Sequence, residues 1–235
     1  MSRHLRRLLA VSDIRGALDT LERLLGDLPE AGADAIAVVG DLGAPWSKTD
    51  SYRAIFKALG EAGLPAFWVP GPTDAPLGDY LRESANIEVA YPLVRGVHGT
   101  AAIGPGNVLF AGIGGEIVDD LDAIRAEDAL VRYPGWEAEY RLKIVREFDQ
   151  DEQVFLFATP PAHKGLGEPG SEVLAELIKT YRPRLAIVAG EHPLEEWLGN
   201  TLVVCPGRLE EGSYAFVDLG RLTVESGVLG AKSAV

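Results

Sequence analysis

The sequence has almost no cysteine, and this scarcity restricts both its chemistry and its surroundings. Cys205 is the single cysteine among 235 residues. An intrachain disulfide is therefore excluded, and because disulfide frameworks belong to oxidising compartments, we expect a cytoplasmic protein. Cys205 ends the apolar run at residues 201–204, so we expect a small buried hydrophobic side chain rather than a reactive thiol.

Long apolar runs and an excess of basic charge are also missing. The apolar stretch at residues 8–11 is too short for a signal peptide, and no run approaches transmembrane length, so we expect no membrane association. The chain has 22 Lys and Arg against 35 Asp and Glu, a formal charge of −13 that repels polyanions. Nucleic acid is therefore not expected as a partner. A small phosphorylated ligand remains compatible, because a local pocket can oppose the global field.

The chain does contain enough apolar residues for one large core. It is 47% hydrophobic, and a chain of this length can bury about 70 to 75% of its unfolded surface. We therefore predict a single domain spanning residues 1–235, with residues 229–235 as a loose tail.

Apolar periodicity predicts alternating strands and helices in the first part of the chain. Short runs rich in β-formers at residues 8–11, 35–39 and 66–69 are separated by segments with apolar residues at helical spacing. This order is βαβαβ, which predicts parallel strands joined by right-handed crossovers. Two further strands, at residues 154–157 and 185–189, alternate with helical patterns in the same way.

Two later segments depart from this alternation. The predicted strands at residues 201–204, 214–219 and 222–228 leave no room for helices between them, which indicates an antiparallel C-terminal part. Residues 116–133 are acidic and have the weakest pattern, so we expect a partly helical surface excursion there.

Five short loops follow apolar runs, where the predicted strands end. They are Asp13-Ile14-Arg15-Gly16, Gly40-Asp41, Gly71-Pro72-Thr73-Asp74, Ala158-Thr159-Pro160-Pro161 and Gly190-Glu191-His192-Pro193. In an open α/β sheet, ligands bind at the carboxyl ends of the strands. These loops are therefore expected to surround the functional site.

In order and spacing, the five loops resemble those of the calcineurin-like metallophosphoesterase superfamily, whose pattern runs D-x-H, G-D, G-N-H-D/E, H-x-P-P and G-H-x-H. The resemblance spans roughly residues 8–219. It implies an α/β fold, a four-layer αββα sandwich of two mixed β-sheets flanked by helices. In relatives, two cations about 3.5 to 4 Å apart generate a hydroxide and clamp the phosphoryl oxygens. The seven ligand positions implied by the resemblance are Asp13, Arg15, Asp41, Pro72, Ala158, Glu191 and Pro193.

Most of these positions have lost the residue that the family uses. Only Asp13 and Asp41 keep it, whereas Arg15 is a permanent cation where a metal would lie. Thr73 occupies the position that protonates the leaving group in relatives, and it cannot serve as a general acid near neutral pH. Three positions offer no donor atom: Pro72, Ala158 and Pro193. The resemblance therefore predicts a degenerate metal centre, with phosphoester hydrolysis weak or absent.

Two interpretations remain open for the retained carboxylates. Asp13 and Asp41, with Glu191, suit a single hard cation such as Mg²⁺, Ca²⁺ or Mn²⁺, which would support an active phosphoesterase with an altered one-metal site. Alternatively, Arg15 pairs with one or both aspartates and replaces the lost metal charge. We favour the second interpretation, because two unpaired carboxylates in a cleft are costly. A structural or interaction module is a third reading of the chain.

Several polar residues near the loops are candidates for binding a small anion or phosphorylated ligand. They are Arg15, Asp74, His163, Lys164 and His192. The last four also have a simpler interpretation. Asp74 suits a turn cap, and His163 and Lys164 suit an exposed loop. His192 is shifted by one from the family's histidine positions and suits a solvent-facing residue. The sequence identifies neither the ligand nor the oligomeric state, and a homo-oligomer is compatible with it.

Overall fold

The computed structural model describes residues 4–43, 49–119, 131–163, 165–166 and 170–230. The α-helices in these ranges are α1 (Leu18–Gly26), α2 (Leu28–Ala31), α3 (Thr49–Glu61), α4 (Leu77–Ala90), α5 (Gly135–Leu142) and α6 (Glu172–Tyr181). The strands are β1 (Arg7–Ser12), β2 (Ala35–Val39), β3 (Ala66–Trp68), β4 (Val94–Gly96), β5 (Thr100–Ile103), β6 (Leu109–Ile113), β7 (Glu116–Val118), β8 (Arg132–Pro134), β9 (Gln153–Phe157), β10 (Leu185–Val188), β11 (Leu194–Leu198), β12 (Thr201–Cys205), β13 (Ser213–Asp218) and β14 (Thr223–Val228).

The longer sheets are both mixed. The first has the strand order β14-β13-β1-β2-β3-β4, and the second has the order β11-β12-β10-β9-β6-β5. Strands β1 to β4 run parallel in the first sheet, while β6, β9, β10 and β12 run parallel in the second. The predicted parallel βαβαβ order at the N-terminus is therefore confirmed.

Three buried apolar layers hold the molecule together. One lies between the two sheets and contains Leu8, Val39 and Phe110. A second lies between the first sheet and its helices, and a third between the second sheet and its helices. Because β2 meets a helix layer on one face and the other sheet on the opposite face, all five of its residues are apolar and buried. The four-layer αββα sandwich of two mixed sheets flanked by helices is confirmed.

The C-terminal part differs from the prediction of purely antiparallel strands. Strand β12 pairs antiparallel with β11 but parallel with β10. The reason is a hairpin that the sequence pattern did not reveal: the chain turns back at Gly199 and Asn200, so β12 regains the direction of β10. Strands β13 and β14 are antiparallel, as predicted.

Two other expectations fall partly outside the described residues. The 116–133 segment, expected to be partly helical, has strands β7 and β8 at its two ends, paired parallel, and its residues 120–130 are not described. Of the expected loose tail, Leu229 donates its backbone N–H to Gly212 O at 2.9 Å, and Gly230 O accepts from Arg23. Residues 231–235 lie outside the described part. No described helix is both long enough and apolar enough to cross a bilayer.

Candidate functional site

The carboxyl ends of the parallel strands converge on one cleft of about 650 Å³. The loops after β1, β2 and β3 reach it from the first sheet, and those after β9, β10 and β12 reach it from the second. All seven positions inferred from the family pattern line this cleft: Asp13, Arg15, Asp41, Pro72, Ala158, Glu191 and Pro193. The fold thus brings together residues that are as far apart in the chain as 13 and 193.

Backbone contacts fix the loop after β1 against the loop after β2. The N–H of Asp13 donates to Val39 O at 3.1 Å, and the N–H of Arg15 donates to Asp41 O at 2.9 Å. Asp13 and Arg15 both adopt left-handed backbone conformations, with φ of 47° and 46°. Such conformations cost about 1 to 3 kcal/mol each for residues other than glycine and cluster at functional sites. The surrounding hydrogen bonds hold both side chains in fixed directions.

Two carboxylates, Asp13 and Asp41, form the buried inner part of the cleft. The backbone N–H of Asp41 donates to Asp13 Oδ1 at 3.2 Å, and the N–H of Thr73 donates to Asp41 Oδ1 at 2.8 Å. Gly71 is required beside this pair, because a Cβ there would overlap Asp41 Oδ1 and the Asp41 backbone. Burial and then the charge of Asp41 raise the pKa of Asp13 from 3.8 to about 6, while Arg15 and Arg208 oppose the rise.

Arg15 lies beside both aspartates. Its Nε is 3.5 Å from Asp41 Oδ2 and 3.9 Å from Asp13 Oδ1, and its Nη1 is 3.2 Å from Glu210 Oε1. Glu210 is held there because its own backbone N–H donates to Asp13 O at 3.2 Å. A guanidinium charge therefore sits next to the buried carboxylate pair.

A second arginine, Arg208, enters the cleft from the loop after β12. Its Nη2 donates to Glu191 Oε1 at 2.5 Å, and its Nη1 is 3.7 Å from Glu211 Oε1. This loop is tied to the end of β1 because Ser12 Oγ donates to Gly207 O at 2.8 Å. Sequence reasoning did not select Arg208 or Glu210. The available signal was the position of Arg208 directly after Pro206-Gly207, at the end of another parallel strand.

Asp74 does not reach the cleft as a ligand-binding residue. Its side chain is fully buried, and it accepts hydrogen bonds from the backbone N–H groups of Leu42, Gly43 and Gly71 at 2.8 to 3.1 Å. Burial raises its pKa to about 7, against the effect of these three donors. The prediction of Asp74 as a ligand-binding residue is therefore wrong, and the interpretation as a cap of backbone groups is supported. Its carboxylate joins the loops after β2 and β3.

The other polar candidates separate in the structure. His192 is exposed and lines the cleft. His163 Nε2 lies 3.1 Å from Trp197 O, so its ring contacts the backbone of β11. Lys164 lies outside the described residues. Cys205 is buried at the wall of the cleft, where burial raises the pKa of its thiol to about 11, so its reactive thiolate is scarce near neutral pH.

The structure brings together only two of the three residues expected to hold a single ion. Asp13 and Asp41 are adjacent, whereas Glu191 is 66% exposed and bonded to Arg208. Among the described residues, no group of three or more His, Cys, Asp or Glu side chains is arranged to hold a metal ion. The cleft thus combines a carboxylate pair with two guanidinium groups.

Residues 1–229 match the family model for metallophosphoesterases of the calcineurin superfamily. The chain therefore belongs to this family. No curated protein matches it.

Solved structures share the same architecture. The crystal structure of TT1561 from Thermus thermophilus is 46% identical, with a TM-score of 0.90 over 95% of this chain and 99% of that one. Another crystal structure is 30% identical, with a TM-score of 0.86 over 96% of this chain and 99% of the other. An archaeal phosphodiesterase, 10% identical with a TM-score of 0.55, covers 95% and 99% of the two chains and shares the fold alone.

Proposed function

We propose that this metallophosphoesterase-family protein binds a small phosphorylated ligand in its cleft and does not carry out two-metal hydrolysis at an ordinary enzymatic rate. The observation that carries the proposal is the position of Arg15, whose Nε lies 3.5 Å from Asp41 Oδ2 and 3.9 Å from Asp13 Oδ1. An always-protonated guanidinium in this place supplies positive charge to both carboxylates. It thereby takes the electrostatic role that cations have in relatives.

The donor set of the cleft does not fit a two-metal centre. Of the seven ligand positions inferred from the family pattern, three are Pro72, Ala158 and Pro193, which have no side-chain donor. The remaining carboxylates, Asp13, Asp41 and Glu191, are too few to complete the coordination of two ions, and Glu191 is engaged by Arg208.

Arg208 is the better placed of the two arginines for an incoming phosphate. Its partners Glu191 and Glu211 are 66% and 55% exposed, and ion pairs with such exposed groups contribute only about 0 to 1 kcal/mol. Replacing these partners with a phosphate therefore costs little free energy. In return, an arginine and a phosphate form charge-assisted and often bidentate hydrogen bonds. Arg15 is instead retained by two buried aspartates. The cleft volume of about 650 Å³ is in the range of small-molecule sites.

A hydrolase with one altered metal site is the second candidate function. The observation that favours it is the pKa of Asp13, raised to about 6 by burial and by the charge of Asp41 despite the nearby arginines. A buried carboxylate pair of this kind is suited to one oxygen-ligated Mg²⁺, Ca²⁺ or Mn²⁺. The two candidates differ in whether an ion is needed.

Metal content and activity separate the two candidates. Protein purified without chelator or affinity nickel is expected to contain less than one equivalent of Mg, Ca, Mn, Fe and Zn, and to bind inorganic phosphate in calorimetric titrations after dialysis against a chelator. Hydrolysis of activated phosphomonoesters and phosphodiesters should stay near background with Mn²⁺, Ni²⁺ or Mg²⁺. Two metal equivalents, or a turnover of about 1 to 10³ s⁻¹ that Asp41→Asn abolishes, would contradict the proposal. Turnover with one equivalent would favour the second candidate.

A further inference from the structure

A second surface, outside the functional cleft, has features that a monomer does not need. Five large apolar side chains beside strand β5 are 39 to 68% exposed: Leu93, Ile103, Trp136, Tyr140 and Ile144. Together they present on the order of 500 Å² of apolar surface, at the upper end of what isolated monomers expose in one patch. We call these five residues and strand β5 the β5 surface.

Consecutive residues of β5 line two grooves, Thr100 the first and residues 101–103 the second. One groove, of about 860 Å³, lies between Thr100 and the side chains of Trp136, Tyr140 and Ile144. These three side chains are spaced four residues apart and form one stripe along α5 and the 3-10 helix that follows it (Lys143–Glu147). The other groove, of about 480 Å³, is lined by Leu93 and by Ile103 at the end of β5. Apolar side chains therefore flank the strand on both sides.

Strand β5 is also a sheet edge. It is the last strand of the second sheet, and β4 is the last strand of the first sheet. Arg95 of β4 lines the smaller groove, together with residues of β5. An edge strand offers backbone N–H and C=O groups for pairing with another chain. Charged side chains and prolines usually protect such edges, but β5 has the sequence Thr-Ala-Ala-Ile. The edge is thus suited to strand addition.

The charges of this surface favour a second copy of the chain as its partner. Of the residues that the structure describes, four charged ones line the larger groove, the acidic Glu137 and Glu147 and the basic Arg141 and Lys143, so their formal charges cancel. Two molecules of net charge −13 repel each other least where such balanced surfaces meet. A mixture of both signs on one patch is also what a two-fold interface requires, since the patch must be complementary to itself.

We propose that the β5 surface is a two-fold interface between two copies of this chain. Across such an axis, β5 of one copy lies antiparallel to β5 of the other, and the second sheets join into one continuous sheet. The same rotation places the two α5 helices on one side of this joined sheet, where the apolar stripe of one copy packs against that of the other. The apolar patch and the paired strands together approach the roughly 800 Å² per partner that a stable interface buries.

The mass of the protein in solution tests this interface. Sedimentation velocity at micromolar concentration should give twice the 25.2 kDa of the chain. Tyr140→Glu should weaken self-association at least about thirtyfold, because it places a charge in the centre of the apolar stripe. The matched control is Trp197→Glu: Trp197 is 48% exposed on β11, the opposite edge of the same sheet. This variant should remain dimeric.

Hydrogen exchange tests the strand pairing separately. The amides of Ala101 and Ile103 point away from β6, because Thr100 and Ala102 are the β5 residues that bond to it. These two amides should exchange more slowly in the wild-type dimer than in Tyr140→Glu. The two proteins should have equal thermal unfolding midpoints at a concentration where both are monomeric. A wild-type monomer throughout the micromolar range would overturn the proposal, whether or not another protein binds this surface. So would a dimer that Tyr140→Glu leaves unchanged, because another face would then be responsible.

Discussion

The inner part of the cleft and its rim hold their charges in different ways. Asp13, Asp41 and Asp74 are buried, and backbone N–H groups donate to each carboxylate. At the rim, Glu191 and Glu211 are mostly exposed and contact the side chain of Arg208. The inner charges are therefore positioned by the fold itself, whereas the rim charges are free to exchange one partner for another.

This difference has an energetic consequence. Removing the partner of a buried charge leaves a group that water cannot reach, and the cost is several kcal/mol. Removing the partner of an exposed charge lets water replace it at little cost. Substitutions at the inner residues should therefore lower stability, and substitutions at the rim should chiefly change ligand binding.

The largest effect is expected for Asp74→Ala. This substitution leaves the N–H groups of Leu42, Gly43 and Gly71 without their buried acceptor. At about 1 to 3 kcal/mol for each unsatisfied group, partly relieved by entering water, we expect the free energy of unfolding to fall by about 4 kcal/mol. Chemical denaturation measures this change. Asp79→Ala is the matched control: the Asp79 side chain is 38% exposed on α4 and pairs at 2.9 Å with Arg82, which is 56% exposed, so its loss should be below about 0.5 kcal/mol. Similar losses for the two variants would contradict the structural role of Asp74.

An intermediate effect is expected for Arg15→Ala, which leaves Asp13 and Asp41 facing each other. Near neutral pH the variant should lose about 2 to 3 kcal/mol of stability. The folded-state pKa of Asp13, about 6, already lies above its ordinary value of 3.8. The folded protein therefore holds a proton that the unfolded chain has lost between about pH 4 and 6, and wild-type stability falls as pH rises through this window.

Without Arg15 the pKa of Asp13 should rise further, because the arginine charge lowers it in the wild type. The deficit of the variant should therefore be greatest above pH 7 and shrink as the pH falls and the carboxylates protonate. Added Mg²⁺ or Ca²⁺ should stabilise the variant more than the wild type, since a cation can occupy the vacated charge position. Thermal unfolding across pH, with and without divalent ions, measures both trends. Equal stability and no differential response to the ions would show that Arg15 does not compensate the aspartates.

Sequence reasoning reached the inner residues because local patterns encode them. Apolar runs such as residues 35–39 indicate buried parallel strands, and the loops after such strands meet at one edge of the sheet. The loops that contain Asp13, Arg15 and Asp41 follow from those positions, and the resemblance to the family selected these three residues within them. The small separation of Asp13 and Arg15 along the chain also made their electrostatic pairing foreseeable, and the distances between Arg15 and the two aspartates are consistent with it.

The remaining features depend on contacts that no local pattern contains. Arg15 donates to Glu210, which is 195 residues away in the chain. Glu210 is positioned there by a hydrogen bond from its own backbone N–H to Asp13 O. Strand β11 contains Glu195 and Glu196 and lacks a regular apolar alternation, so neither the hairpin nor the direction of β12 was visible. The burial of Asp74 likewise depends on donors from a loop more than 25 residues away in the chain.

The smallest effect on stability is expected for Arg208→Ala. Because Glu191 and Glu211 are mostly exposed, the free energy of unfolding should change by less than about 1 kcal/mol, and the difference should diminish at high salt. Binding should respond differently. A phosphate at the rim would lose the guanidinium whose carboxylate partners are the more exposed, so its affinity for the metal-free protein should fall at least about tenfold, which corresponds to about 1.4 kcal/mol. Calorimetric titration with inorganic phosphate measures the affinity, and denaturation of the same variant measures the stability. A large stability loss would show that the rim is held as firmly as the inner part, and unchanged phosphate affinity would remove Arg208 from the binding site.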